Sequence, residues 1–362
     1  MSPTPAVSVL LPVYNGENYV REAVESILAQ SFEDFELIVI NDGSTDNSGK
    51  ILYEMAIRDL RIVLIEKTNG GLVSALNDGI KRARAPLIAR MDADDVSAPE
   101  RLEMQFERMK SDPTLGVLGS FIRIVDQQSR PIRIGRYPVT PNEVKRFLEH
   151  GCPLAHPTVM MKKEAVLSVG GYREAFKHAE DYDLWLRISE AGYHIANVPR
   201  PLLDYRSHAA SISVVHRVEQ NFATVWAQLA HRARTAGLSD PVGDRERIDE
   251  KMLDCLPEDL RESLRVASFL IRYGKFSIDD WPDLKAAWAE YRKLTRGARQ
   301  DILLSGFVMR ALHSAVQTRR FGMAFIVLME SCRTHPMETL RRLFSRLIAK
   351  VTVATKFFNS SR

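Results

Sequence analysis

The sequence predicts an α/β fold: a mostly parallel sheet flanked by helices, followed by a helical C-terminal extension. Three observations carry this. Short apolar runs alternate with helix-spaced apolar patterns over the first half of the 362 residues, the order that builds parallel sheets through crossover helices. Each of the first four apolar runs ends in a polar, turn-prone segment. Beyond about Val214 the pattern changes to long helical stretches with few β-runs. These place an α/β domain at residues 1–213 and a helical region at 214–362.

The elements follow in order. Val7 to Leu11 is an apolar run closed by Pro12. From Glu17 to Gln30, Tyr19, Ala23 and Ile27, and Val20, Val24 and Leu28, recur at three and four, the spacing of one helix face. Glu36 to Ile40 is a β-branched strand, and Asn41 to Thr45 turns the chain. Asp46 is placed to cap a helix running to about Arg58. A third strand at Arg61 to Glu66, a helix at Gly71 to Arg84 and a fourth strand at Pro86 to Met91 follow. A helix from about Ala98 to Ser111 opens with Pro99 at the favoured first position. Further on, strand-like runs at Val117 to Val125, Thr158 to Met161 and His194 to Val198 flank a helix at Asp181 to Ala191, whose Leu184, Trp185 and Ile188 read as core. Leu202 to Ser213 reads as a closing strand and loop.

Composition narrows the class. With 45% hydrophobic and 27% charged residues, the chain can bury a core. Cys152, Cys255 and Cys332 are too scattered for a disulfide framework or a C-x-x-C metal site, so a reducing cytoplasm is expected. The apolar start, Val7 to Val13, is broken by Pro12 and lacks the basic flank of a signal peptide. No run reaches the ~18 apolar residues of a spanning helix. From Arg310 to Arg362 there are ten basic and two acidic residues, which leaves the rest of a +4 chain net acidic. Within that tail Leu340, Leu343, Phe344, Leu347, Ile348 and Val351 recur at helical spacing, beside Arg341, Arg342, Arg346 and Lys350. A basic amphipathic helix can lie in the interface of an anionic bilayer. It can equally pack on its own domain or on another subunit, and both readings stay open. A peripheral contact through residues 338–358 with the inner face of the cell membrane is therefore one expectation. Nucleic acid is not an expected partner.

In open α/β sheets ligands bind beyond the carboxyl ends of the strands. Those ends here are Pro12-Val-Tyr14-Asn15, Asn41-Asp42-Gly43, Lys67-Thr-Asn69-Gly-Gly71 and Asp92-Ala-Asp94-Asp95, and all should face one crevice. Crowded carboxylates repel unless a cation sits among them, and Mg2+ or Mn2+ takes oxygen ligands shared with phosphates. The same aspartates could instead form a solvated turn, with Asp95 or Ser97 capping the next helix. Asp42 can accept hydrogen bonds from a base or ribose, or simply make an Asp-Gly turn. Tyr14 can stack on a base or sit on the rim. Asn69-Gly-Gly can present backbone N–H groups to phosphate or be a plain loop. Glu180-Asp181 opens a helix, where the dipole favours the anion. An ionised carboxylate there can act as general base or merely cap the helix. His156 and His208 are isolated, and Arg206 and His208 could supply charge to a departing group. There is no G-x-G-x-x-G and no G-x-x-x-x-G-K-[ST], which argues against dinucleotide and P-loop chemistry.

Taken together and in order, these strings resemble a known family. Pro12-Val-Tyr-Asn15 with Glu22-Ala-Val-x-Ser-Ile-Leu-x-Gln30, Asn41-Asp-Gly-Ser-Thr-Asp46, Asn69-Gly-Gly-Leu72, Asp92-Ala-Asp-Asp95, and Gly170-Gly-Tyr172 with Glu180-Asp-Tyr-Asp-Leu-Trp185 are similar to family 2 inverting glycosyltransferases of the GT-A fold. The resemblance covers residues 7–213. It implies a nucleotide diphosphate sugar donor, commonly a UDP-sugar, held by Pro12, Tyr14, Asp42 and Asn69. Asp92 would touch the ribose or metal, and Asp94 would ligate Mn2+ or Mg2+. His208 matches a further metal or diphosphate contact in some members, and Asp181 would be the catalytic base. The acceptor would be a glycan or lipid-linked hydroxyl in cell-surface polysaccharide synthesis. Processive members carry Q-x-x-R-W after the base. It is absent here, and Gln105-Phe-Glu-Arg108-Met109 lies elsewhere, so transfer of one sugar is expected. A sugar nucleotidyltransferase would need a basic Gly-rich loop that Pro12 to Gly16 lacks. A non-catalytic nucleotide-sugar-binding module is the other alternative, and the presence of both Asp94 and Asp181 argues against it.

Overall fold

The computed structural model describes residues 4–207, 217–248 and 252. The strands are β1 Val7–Val13, β2 Phe35–Asp42, β3 Ile62–Lys67, β4 Leu87–Arg90, β5 Val96–Ser97, β6 Leu115–Val125, β7 Pro131–Gly135, β8 Met160–Lys162 and β9 His194–Arg206. The helices are α1 Val20–Leu28, α2 Ser48–Ala56, α3 Gly71–Arg82, α4 Arg101–Ser111, α5 Pro141–Leu148, α6 Lys163–Ser168, α7 Glu180–Glu190 and α8 Arg217–Thr235. The strands form one sheet in the order β3-β2-β1-β4-β8-β6-β9-β5, with β7 paired to β6.

The first four strands run parallel. Every residue of β1 and β2 is buried, as expected of strands covered by helices on both faces. Helix α1 buries Val20, Ala23, Val24 and Ile27, the face that its spacing predicts. Beyond β4 the sheet becomes mixed: β8 is antiparallel to both β4 and β6, β7 is antiparallel to β6, and β5 is antiparallel to β9. Short apolar runs such as Thr158 to Met161 carry no directional signal, so the sequence reading places strands in this half without their directions.

The two strand-like runs at His194 and Leu202 are one strand. β9 runs parallel to β6 through a register shift that steps from Val198 opposite Ser120 to Pro201 opposite Phe121. Pro199 and Pro201 read as a break, but a bulge accommodates residues that cannot donate to the ladder. Helix α4 starts at Arg101 rather than near Pro99. Its amino end is held by Gln30, whose Oε1 accepts from Leu102 N at 2.9 Å and whose Nε2 donates to Ala98 O at 2.7 Å and to Ser97 Oγ at 3.1 Å. Helix α5 carries a full capping box between Thr140 and Glu143 with Pro141 at its start, a signal present in the sequence and overlooked.

The first compact unit of the chain is Met1–Ile248, so α8 belongs to it although it lies past residue 213. Trp226 of α8 is fully buried, α8 packs on α7, and its His231 and Arg234 pair with Glu190 at 2.5 and 2.6 Å. The basic amphipathic segment 338–358 and His208 lie outside the described residues. Among the described residues no helix is long and apolar enough to cross a membrane.

Candidate active site

The loops after β1 and β2 are laced together. Asn15 N donates to Ser44 Oγ at 3.0 Å, and Asn15 Oδ1 accepts from Thr45 N at 2.8 Å. Gly16 N donates to Ser48 Oγ at 2.9 Å and Glu17 N to Asp46 Oδ2 at 3.0 Å. Asp46, expected as a cap, serves both loops, because its Oδ1 also takes Ser48 N at the start of α2. Tyr14 stands 55% exposed at this rim, whereas Pro12 and Asp42 are buried.

Asp42 organises the next loop. Its two carboxylate oxygens accept from Gly70 N and Gly71 N, each at 2.8 Å, and Lys67 Nζ lies 3.3 Å from Oδ1. This fixes Asn69 against Gly43. Gly43 has φ 72°, and a Cβ there would lie 2.6 Å from Asn69 N. Gly43→Ala is therefore expected to cost about 1–3 kcal/mol, measured by urea unfolding. An unchanged midpoint would show that the loop yields.

The acidic cluster is real in three dimensions. Asp92, Asp94 and Asp95 each bring a carboxylate oxygen within 4.8 Å of the others. Arg90, only 2% exposed, grips both oxygens of Asp92. Asp95 does not cap α4. Its Oδ1 accepts from Arg206 N at 2.9 Å, and its buried Oδ2 has no hydrogen-bond partner among the described residues. Burial and the charges of Asp92 and Asp94 push the Asp95 carboxyl well above the ordinary range. Burial also raises Asp92, against the pull of Arg90. Converging oxygens, mutual repulsion and an orphaned carboxylate oxygen fit a hard divalent cation.

Arg206 is not available to a departing diphosphate, contrary to expectation. It is buried and fully engaged: Nε donates to Asp94 O at 2.9 Å, one Nη to Gln127 O at 3.2 Å and Ser129 Oγ at 2.9 Å, and the other to Glu22 Oε2 at 2.7 Å. Its plane also lies 4.7 Å from the Tyr19 ring centre. It clamps the acidic loop to α1 and to the β6–β7 turn.

Asp181 sits in the first turn of α7. Its Oδ1 accepts from Tyr182 N at 2.7 Å, and its Oδ2 from Cys152 Sγ at 3.5 Å. The helix terminus does not dominate its ionisation: burial raises its carboxyl, while the Tyr182 and Cys152 contacts and the Arg90 charge pull it back. Glu180 is pushed up to about 7, first by burial and then by Asp181. The Asp181 charge also raises Asp92, so the two carboxylates share one electrostatic environment. Behind them His156 Nε2 and Tyr172 Oη lie 2.8 Å apart, and burial with Arg90 pushes the imidazole well below its usual range, which keeps it neutral. Trp185 is fully buried core. Cys152 and Arg90 were missed by sequence reasoning. Nothing in their spacing marks them, and both are found only through the carboxylates they touch.

Residues 8–169 match the model of glycosyl transferase family 2. The chain is 38% identical over 208 residues to the O-antigen biosynthesis glycosyltransferase WbnJ of Escherichia coli, covering 57% of this chain and 81% of that protein. The chain belongs to glycosyl transferase family 2. This glycosyltransferase is also 33% identical over 203 residues to the amylovoran biosynthesis glycosyltransferase AmsE of Erwinia amylovora, covering 55% of this chain and 76% of that one. Two solved structures share its fold at low identity. S. aureus TarS 1–349 in complex with UDP-GlcNAc matches at TM-score 0.52 and 16% identity, covering 90% of this chain and 91% of that chain. The Pyrobaculum calidifontis mannosyltransferase PcManGT, in complex with GDP-Man and Mn2+, matches at 0.51 and 18%, covering 88% of each. The family 2 glycosyltransferase thus has the GT-A fold that its motifs implied.

Proposed function

We propose that this glycosyltransferase moves one sugar, with inversion, from a nucleotide diphosphate sugar, a UDP-sugar, to a hydroxyl of a glycan or lipid-linked acceptor in cell-surface polysaccharide synthesis. The observation that carries the proposal is the convergence of the Asp92, Asp94 and Asp95 carboxylate oxygens within 4.8 Å of one another, a set suited to a cation that holds a diphosphate. In this reading Asp181, at the start of α7, is the base that faces that anchor. The names of WbnJ and AmsE support the polysaccharide setting. The ligands of TarS and PcManGT support the donor class.

Pro12 and the exposed Tyr14 would line the nucleobase pocket. Asp42 Oδ1 accepts from Gly70 N and faces Lys67 Nζ, whereas Oδ2 accepts only from Gly71 N and keeps a lone pair for ribose or base. Asn69, pinned against Gly43, would border the same pocket. Asp92 and Asp94 would hold Mn2+ or Mg2+, with His208 as a further contact; the ion when bound offsets charge on the departing diphosphate. Asp181 takes the proton from the acceptor hydroxyl. The oxygen attacks the anomeric carbon from the face opposite the diphosphate, whose bond to that carbon breaks. The enzyme would work in the cytoplasm at the inner face of the membrane, with residues 338–358 as a peripheral contact. Proton NMR of the product formed from an α-linked UDP-sugar tests the mechanism: a β-linkage is expected, and an α-linkage would overturn inversion.

A further inference from the structure

We infer that the β6–β7 hairpin is a docking surface for an anionic lipid bilayer, mounted at the mouth of the crevice. Residues 127–134 are all exposed. Ile132 and Ile134 are 59% and 42% exposed, on a two-stranded projection where burial would be favoured. Between them and beside them stand Arg130, Arg133 and Arg136, with no acidic residue from 130 to 136. Arg130 pairs with Asp126 at 2.7 Å. Arg133 and Arg136 have no salt bridge among the described residues and are exposed. Alternation along β7 sets Ile132 and Ile134 on one face and Arg133 on the other; with Arg136 just past the strand, the projecting hairpin offers apolar side chains that can enter an anionic membrane edge-on and guanidinium groups that stay at the headgroups.

The hairpin is fixed relative to the site. Its turn is held by Arg206, through Gln127 O and Ser129 Oγ, and the same guanidinium holds Asp94 O. In the sheet Arg133 lies opposite Ile124, which lies opposite Tyr205. Tyr137, just past the strand, feels the charges of both Arg133 and Asp181. The projection therefore flanks the crevice from the acidic loop to the candidate base. A bilayer seated on it would bring a membrane-borne hydroxyl to that opening.

A second copy of the chain is the weaker occupant. Edge pairing of β7 about Arg133 would set arginines of two copies opposite one another, and like charges so placed destabilise a pair. Pro131 also removes a donor from that edge.

The usefulness of such a contact rests on the proposed lipid-linked acceptor, but the contact is read without catalysis. Hydrogen exchange of the full chain is followed with phosphatidylcholine vesicles that contain or lack phosphatidylglycerol. Slowed exchange across residues 128–136 is expected only with phosphatidylglycerol. Each arginine near an anionic surface is worth roughly a fivefold gain in partition. Arg133→Glu with Arg136→Glu should therefore raise the lipid needed for half-protection of the hairpin by at least about 25-fold. Donor hydrolysis by that variant should stay at the wild-type rate. Unchanged hairpin amides with phosphatidylglycerol, equal protection by pure phosphatidylcholine, or protection that grows with protein concentration without lipid would each overturn the inference.

Discussion

Asp181→Asn is expected to lower sugar transfer by roughly 10²–10⁴-fold, the contribution of a positioned general base, while leaving donor affinity near wild type. Asparagine preserves the shape and can still accept from Tyr182 N through its carbonyl, so α7 should keep its first turn. What is lost is a group that takes a proton. Initial rates with isothermal titration of UDP or GDP separate the effects, and lost nucleotide binding would sink the assigned role. The wild-type pH profile carries a second signature. Burial raises the Asp181 carboxyl, and a base acts only when ionised, so kcat should fall as pH drops through a value above the ordinary Asp range. The same shift has the opposite sense for stability. A carboxyl whose folded pKa is raised contributes stability below its unfolded value and loses it as pH rises through the folded value. Activity and this part of the stability thus move in opposite directions across that window.

Asp94→Ala is expected to weaken metal-dependent nucleotide binding by more than the roughly 10–100-fold cost of losing an outer-shell partner, because Asp94 is assigned as a direct ligand. Chelation of the wild type should give the same phenotype. Stability without metal should not follow affinity. The Asp94 charge raises both Asp92 and Asp95, so its removal relieves repulsion, and the thermal midpoint without metal is expected to hold or rise. A fall in midpoint with unchanged nucleotide binding would make Asp94 a scaffold residue.

Much of the fold was legible because its first half obeys local rules. β1 through β4 are short apolar runs with polar ends, and α1 shows its buried face at a spacing of three and four. The second half is set by pairings distant in sequence. β8 owes its direction to β4 and β6, and β9 crosses two prolines through a bulge matched to β6. In the candidate site, strand and helix ends single out Asp42, Asp92, Asp94 and Asp181, but each has a bland use there as a turn or cap, and their roles come from the family resemblance. Their supports carry no such mark. Arg90 closes an apolar strand, Cys152 is a lone thiol 29 residues from the carboxylate it meets, and Arg206 resembled a substrate contact. Only geometry shows that Arg206 is spent on backbone oxygens and on Glu22.

The hold of Gln30 on α4 bears on how distant parts of the chain are coupled. A helix whose first turn is anchored by a side chain from far upstream has no local start of its own. Gln30 and Leu102 are 72 residues apart, so Gln30→Ala is expected to speed hydrogen exchange in the first turn of α4 although no residue of that helix is changed. Loop-closure entropy grows only slowly with length, so the separation costs little in final stability. Its weight falls on coupling: α1, β5 and α4 meet at one amide side chain, and the acidic loop runs directly into that corner.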